Sequence, residues 1–300
     1  MTDARELTPL ADGGSFFECP RWHEGRWWAS DFYRHGVFTY DRDGREEQVL
    51  EVPGQPSGIG WLPDGDLLVV SMKDRRVLRR SADGNVSVHA EVFDLTDGHL
   101  NDMVVDRNGR GYAGNFGFDY MGGEDPRPTS LVRIDPDGSA AIAAEDLWFP
   151  NGSVITDDGT LIVAETFAAR LTAFTIRPDG TLGDRRAWAQ VEPAPEAADI
   201  MTMLSSTTFA PDGCALDAEG NVWAANALAG VICRIAPGGA IVDEIGMPEG
   251  LGVFACGLGG DDGRTLVACA APDSDEAARA PAREGVLLTT TVEVPHAGRP

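Results

Sequence analysis

The sequence is poor in cysteine, in basic residues and in long apolar runs, and each shortage removes a class of function. Its five cysteines, Cys19, Cys214, Cys233, Cys256 and Cys269, are odd in number and form no CxxC pair. That excludes a disulfide framework and a thiolate zinc site, and leaves buried thiols of a cytoplasmic protein as the expectation. Lys and Arg number 24 against 48 Asp and Glu, a net charge of −24 at pH 7. Such a surface repels a phosphate backbone, so nucleic acid is not an expected partner. The longest apolar runs are strand-sized, well short of the roughly 20 residues a membrane helix needs, and no membrane partner is expected. The first residues, Met1 to Thr8, lack the basic stretch and apolar core of a secretory leader. No sustained 3.6-residue periodicity marks long helices.

What is abundant is turn chemistry. Gly occurs 36 times and Pro 19 times, without low-complexity repetition, and a hydrophobic content of 43% supplies a core. An acidic or polar residue plus Gly, followed by an apolar strand, recurs: Glu24-Gly25 before Trp27-Trp28, Asp64-Gly65 before Leu67-Leu68-Val69-Val70, Asn108-Gly109 before Tyr112-Ala113. The series continues with Asp158-Gly159 before Leu161-Ile162-Val163, Glu219-Gly220 before Val222-Trp223, and Asp262-Gly263 before Leu266-Val267. Such pairs mark hairpins, because glycine supplies positive φ without a Cβ penalty. A second turn follows most of them, for example Asp43-Gly44 and Asp179-Gly180, so each unit is a four-stranded meander. The turn glycines are spaced 40, 44, 50, 61 and 43 residues apart. Units of about 40 residues with four strands are propeller blades. The expected fold is therefore all-β: one six-bladed β-propeller domain over residues 1–300, with the N-terminal segment supplying the outer strand of the last blade and closing the ring.

Loops that enter the innermost strands of a propeller converge at one end of its axis. Glu18, the Asn101-Asp102 pair, Asn151 and Asp212 occupy that phase in four blades. All are oxygen donors, suited to Ca²⁺, Mg²⁺ or Mn²⁺ and tolerated by Zn²⁺. Pro-Asp-Gly also occurs at 63–65, 136–138 and 178–180, where it reads as a turn; Pro211-Asp212-Gly213 differs in preceding the blade's first apolar strand. Glu18 stands between Phe17 and Cys19, where a carboxylate is costly unless paired or metal-bound.

These motifs, Glu18-Cys19-Pro20-Arg21-Trp22, Asn101-Asp102, Ala113-Gly114, Pro150-Asn151-Gly152 and Pro211-Asp212-Gly213-Cys214, resemble in order and spacing the senescence-marker-protein/gluconolactonase/luciferin-regenerating-enzyme group. The resemblance runs from about Phe16 to Thr290. It implies a six-bladed propeller that hydrolyses a small-molecule lactone, with one divalent metal, Ca²⁺ foremost, on Glu18, Asn151 and Asp212. It further implies Asn101 as ligand or substrate contact, and Asp212 as general base with Asp102 as the fallback. Sugar-lactone members carry an Arg where this chain has His99, and an acidic residue where it reads Asn115-Phe116-Gly117-Phe118. Together with Met201, Met203 and Leu204 in the longest inter-repeat segment, His99 and Phe118 point to a less polar substrate, with Met203 over the pocket mouth. Pro272 to Glu284, rich in Ala and charge, reads as a solvent loop. The competing expectation is a non-catalytic propeller that holds a structural calcium.

Overall fold

In the computed structural model, which describes residues 5–298, nearly all regular structure is β. The strands form six four-stranded antiparallel sheets, each a consecutive meander except the last. Blade 1 spans residues 17–51, blade 2 56–91, blade 3 100–147, blade 4 150–190 and blade 5 211–246. Blade 6 takes its inner three strands from Gly252–Gly259, Thr265–Ala271 and Gly285–Thr291, and its outer strand from Thr8–Gly14 at the other end of the chain. The ring is closed as the sequence predicts, by pairing Thr8 with Thr289 and Gly14 with Gly285. Closure through an N-terminal strand ties the first and last blades together and covers an edge that would otherwise be open.

Inner strands pack against inner strands around the axis, blade 1 against blades 2 and 6, and so on around the ring. Second strands such as Leu67–Ser71 are buried throughout, whereas outer strands such as Glu46–Glu51 are mostly exposed. The six first-turn glycines all adopt positive φ, between +73° and +91°. Gly152 and Gly213, which follow Asn151 and Asp212, do not. They are needed for space: a Cβ on Gly152 would lie 2.5 Å from the Asp212 carbonyl oxygen, and one on Gly213 2.4 Å from the Ala255 Cβ. The same Pro-Asp-Gly string is thus a turn at 63–65 and a close contact between blades at 211–213.

Two short α-helices among the described residues interrupt the meander. Helix α1, Ile200–Ser205, is capped by the Asp199 carboxylate, which accepts from the Thr202 N–H at 3.0 Å. Helix α2, Glu276–Ala282, is capped by Asp275, which accepts from the Ala278 N–H at 2.7 Å. The segment expected to be a solvent loop therefore holds a helix that is tied down across the propeller face. Gln55 donates to the Glu276 carboxylate at 2.9 Å, and Lys73 pairs with it at 3.2 Å. Its alanine and charge content suits an exposed helix as well as a loop, which is why composition alone missed it. No helix among the described residues is long and apolar enough to cross a membrane.

Candidate active site

Four innermost strands present the polar residues singled out by their phase. Each is irregular at that point: pairing shifts between Glu18 and Arg21, Leu100 and Met103, Pro150 and Ser153, and Pro211 and Cys214. A bulge breaks the strict alternation of a strand and re-aims a side chain. Cys19, beside Glu18, and Phe149, two residues before Asn151, also hold left-handed φ of 52° and 54°. Such backbone costs on the order of 1 kcal/mol or more and persists only where surroundings enforce it.

Glu18, Asn101, Asn151 and Asp212 are brought to one cavity of about 580 Å³. Each is nearly inaccessible, at 6%, 5%, 4% and 8% exposure. Asn151 donates its amide N–H to the Thr166 hydroxyl at 3.2 Å and also hydrogen-bonds Asp212; Thr166 in turn donates to the Pro211 carbonyl at 2.8 Å. The amide oxygen of Asn151 is the atom left for a cation. Asn101 receives the Ser57 hydroxyl at 3.4 Å. Glu18 accepts only a long bond, 3.3 Å, from the adjacent Cys19 N–H. Among the described residues no three His, Cys, Asp or Glu side chains form a metal-holding group; the set here is two carboxylates plus amides, oxygen donors of the kind a hard cation takes.

Burial, then repulsion from Asp212 and Asp102, drives the Glu18 carboxyl well above its ordinary value of 4.5. Burial and Asp102 raise Asp212 well above 3.8. Two buried carboxylates that disfavour each other's ionisation form a site that a divalent cation would relieve. The sign for stability follows from folded values lying above unfolded ones. Without a cation, the contribution of this pair is complete below the ordinary carboxylate range and is lost as pH rises through the raised folded values. Chelator-treated protein is therefore expected to lose stability as pH rises above 4.5, and the loss should be smaller in Glu18→Gln. Urea midpoints across pH for both proteins check this; parallel curves would disprove it.

Asp102 is placed differently. Its carboxylate receives the Arg21 guanidinium at 3.0 Å and the Met103 N–H at 2.7 Å, and it does not border the cavity. His99, Phe118 and Met203 do not line the cavity either. His99 sits in a neighbouring crevice with Lys73 and Arg75, where burial lowers its pKa. Phe118 is fully buried behind the wall, 6.0 Å from the Phe149 ring and 5.9 Å from Phe167. Met203 is buried beneath α1, and Leu204 is the residue of that helix that reaches the cavity. His99 precedes its strand and Phe118 follows its strand, each two residues from a lining residue, Asn101 and Phe116, so strand alternation does not govern where they point; Met203 and Leu204 are neighbours on α1 that face different ways.

Sequence reasoning missed most of the wall. Phe32 and Tyr33, Phe116, Thr166 and Phe167, and Asp273 all line the cavity, and each lies just past the second strand of its blade. That position could have been read from the repeat, since it shares an end of the blade with the start of the inner strand. The five cysteines are all free and buried. Burial pushes their thiols up, Cys233 to about 12, so none is a ready nucleophile.

Comparison with known proteins agrees with this architecture. A relative named 6-deoxy-6-sulfogluconolactonase, from Pseudomonas putida, is 25% identical over 293 residues, covering 94% of this chain and 93% of its own. Among solved structures, a calcium-binding regucalcin from Agrobacterium tumefaciens superposes with a TM-score of 0.79 at 20% identity, over 99% of this chain and 97% of that one. A gluconolactonase from Xanthomonas campestris gives 0.73 at 23% identity, over 96% and 90%. The model of the SMP-30/Gluconolactonase/LRE-like region matches residues 16–271. The chain belongs to the SMP-30/gluconolactonase/LRE-like family.

Proposed function

We propose that the protein is a metal-dependent lactonase acting on a lactone less polar than a sugar lactone. Glu18, Asn151 and Asp212 would hold one divalent cation, with Ca²⁺ ahead of Mg²⁺, Mn²⁺ and Zn²⁺. The observation that carries this reading is the pair of buried carboxylates, Glu18 and Asp212, set with two amides in a cavity whose lining includes eight aromatic rings. When bound, the cation would supply Lewis acidity toward the lactone carbonyl. Asp212, whose proton affinity burial raises, is the group to take a proton from water as the water oxygen bonds to the acyl carbon. The ring C–O bond then breaks, and the departing oxygen takes that proton to give the hydroxy acid. Asn101 donates its amide N–H to the substrate. Asp102, held by Arg21 and turned from the cavity, serves as a fixed charge behind the site and not as the base.

Cavity chemistry supports the substrate class. A sulfo-substituted sugar lactone, the substrate in the Pseudomonas putida relative's name, calls for a basic side chain at its sulfonate, away from the reacting carbonyl, yet no Lys, Arg or His lines this cavity among the described residues. An apolar wall contributes about 0.8 kcal/mol per buried CH₂, or about fourfold. Along γ- and δ-lactones with growing alkyl chains at fixed metal concentration, kcat/KM is expected to rise about fourfold per methylene until the wall is filled, and to exceed that for gluconolactone. A preference for gluconolactone would overturn the substrate reading. Tight metal binding with no turnover of any lactone would favour a binding module with a structural calcium.

A further inference from the structure

The aromatic side chains of the cavity fall into two groups on opposite sides of the axis. On the seam of blades 6 and 1, the Phe16 ring lies 4.7 Å from Phe254, 5.3 Å from Phe32 and 5.6 Å from Tyr33. On the seam of blades 3 and 4, Phe116 stacks on Phe149 at 4.6 Å and 13°. Phe167 and Tyr120 meet Phe149 edge-on at 5.3 and 5.7 Å. In a ring of six these two seams are diametrically opposed. All eight rings border the cavity, so the open volume of about 580 Å³ lies between two aromatic walls above the floor of Glu18 and Asp212.

The polar ends of both tyrosines are already engaged. Tyr33 donates its hydroxyl to the Ser274 carbonyl at 2.6 Å, and the Tyr120 hydroxyl is hydrogen-bonded by the Ser274 side chain. The segment before α2 thus spans the two walls, and each tyrosine offers the cavity its ring. Aromatic rings prefer offset-stacked or edge-to-face partners, each contact worth about two- to tenfold beyond area burial. A saturated ring of similar size collects the burial but not that increment.

We propose that the substrate carries a planar aromatic ring fused to or adjoining the lactone, seated between these walls so that its acyl carbon lies over the polar floor. This rests on the lactonase reading and names its substrate class. The test uses a benzo-fused six-membered lactam, which the enzyme cannot open at an ester bond, and its ring-saturated counterpart, each titrated calorimetrically into the metal-loaded protein. The aryl lactam is expected to bind at least about tenfold more tightly. Phe149→Leu on one wall and Phe254→Leu on the other should each cut that preference by about threefold or more, while the saturated lactam changes less than about twofold. Phe254 is only partly buried, so its variant retains a fold if Phe149→Leu does not. Equal binding of the two lactams, or an equal loss for both in the Phe254→Leu protein, overturns the clamp. Aryl-selective binding without turnover of any lactone would leave the clamp standing and remove the lactonase reading, so the two failures are distinguishable.

Discussion

Asp212→Asn is expected to lower kcat for lactone hydrolysis by about a hundred- to ten-thousandfold at saturating metal, the range for removing a general base. The substitution keeps the shape and an oxygen donor and removes the proton acceptor. It also removes one of the two buried carboxylates that raise each other's proton affinity. Glu18→Gln should behave differently. Glu18 lines the same cavity, and among the described residues its carboxylate accepts one hydrogen bond, from the Cys19 N–H, so its loss should appear mainly as weaker metal binding. Calorimetric metal titration and steady-state kinetics at several metal concentrations separate the two. Activity of Glu18→Gln should recover as metal is raised, and that of Asp212→Asn should not. Wild-type kcat in metal-saturated Asp212→Asn would show that another group is the base.

The second large effect is expected at Arg21. This guanidinium is 5% exposed and donates to the Asp102 carboxylate, the Met103 carbonyl and the Pro20 carbonyl. Asp102 itself is 2% exposed. Arg21→Met leaves that carboxylate buried and uncompensated beside Glu18 and Asp212, and removing one partner of a buried pair costs about 3–5 kcal/mol. Arg21→Met combined with Asp102→Leu removes both charges and should recover much of the loss, because packed apolar groups often replace a buried ion pair at little cost. Urea midpoints for the single and double variants measure the coupling. An Arg21→Met protein as stable as the wild type would mean that water or another cation satisfies Asp102.

The propeller was legible because its evidence is local. A turn at each Gly with positive φ, an apolar strand after it, and a spacing of about 40 residues are properties of neighbouring positions, and the six sheets follow them. Closure by the N-terminal strand was legible as well, since a meander that ends one strand short needs a partner from elsewhere in the chain. The convergence of Glu18, Asn101, Asn151 and Asp212 followed from their shared phase in four blades, and they line one cavity.

The walls were not legible in the same way. His99 is one residue from Leu100 and two from Asn101, yet only Asn101 reaches the cavity. Phe118 is aromatic and near the Ala-Gly strand, yet it is Phe116, two residues earlier, that lines the cavity, while Phe118 packs against Phe149 and Phe167 behind the wall. Met203 and Leu204 exchange roles across a single turn of α1. The sequence by itself determined the repeat, the ring and the oxygen donors at its axis, because hydrogen bonding and alternation act between residues close in the chain. Only the tertiary structure decided that Phe16 meets Phe254, that Arg21 holds Asp102, and that Tyr33 reaches Ser274. Those contacts join residues from 81 to 241 positions apart, and they depend on how six blades pack around an axis, which no local pattern encodes.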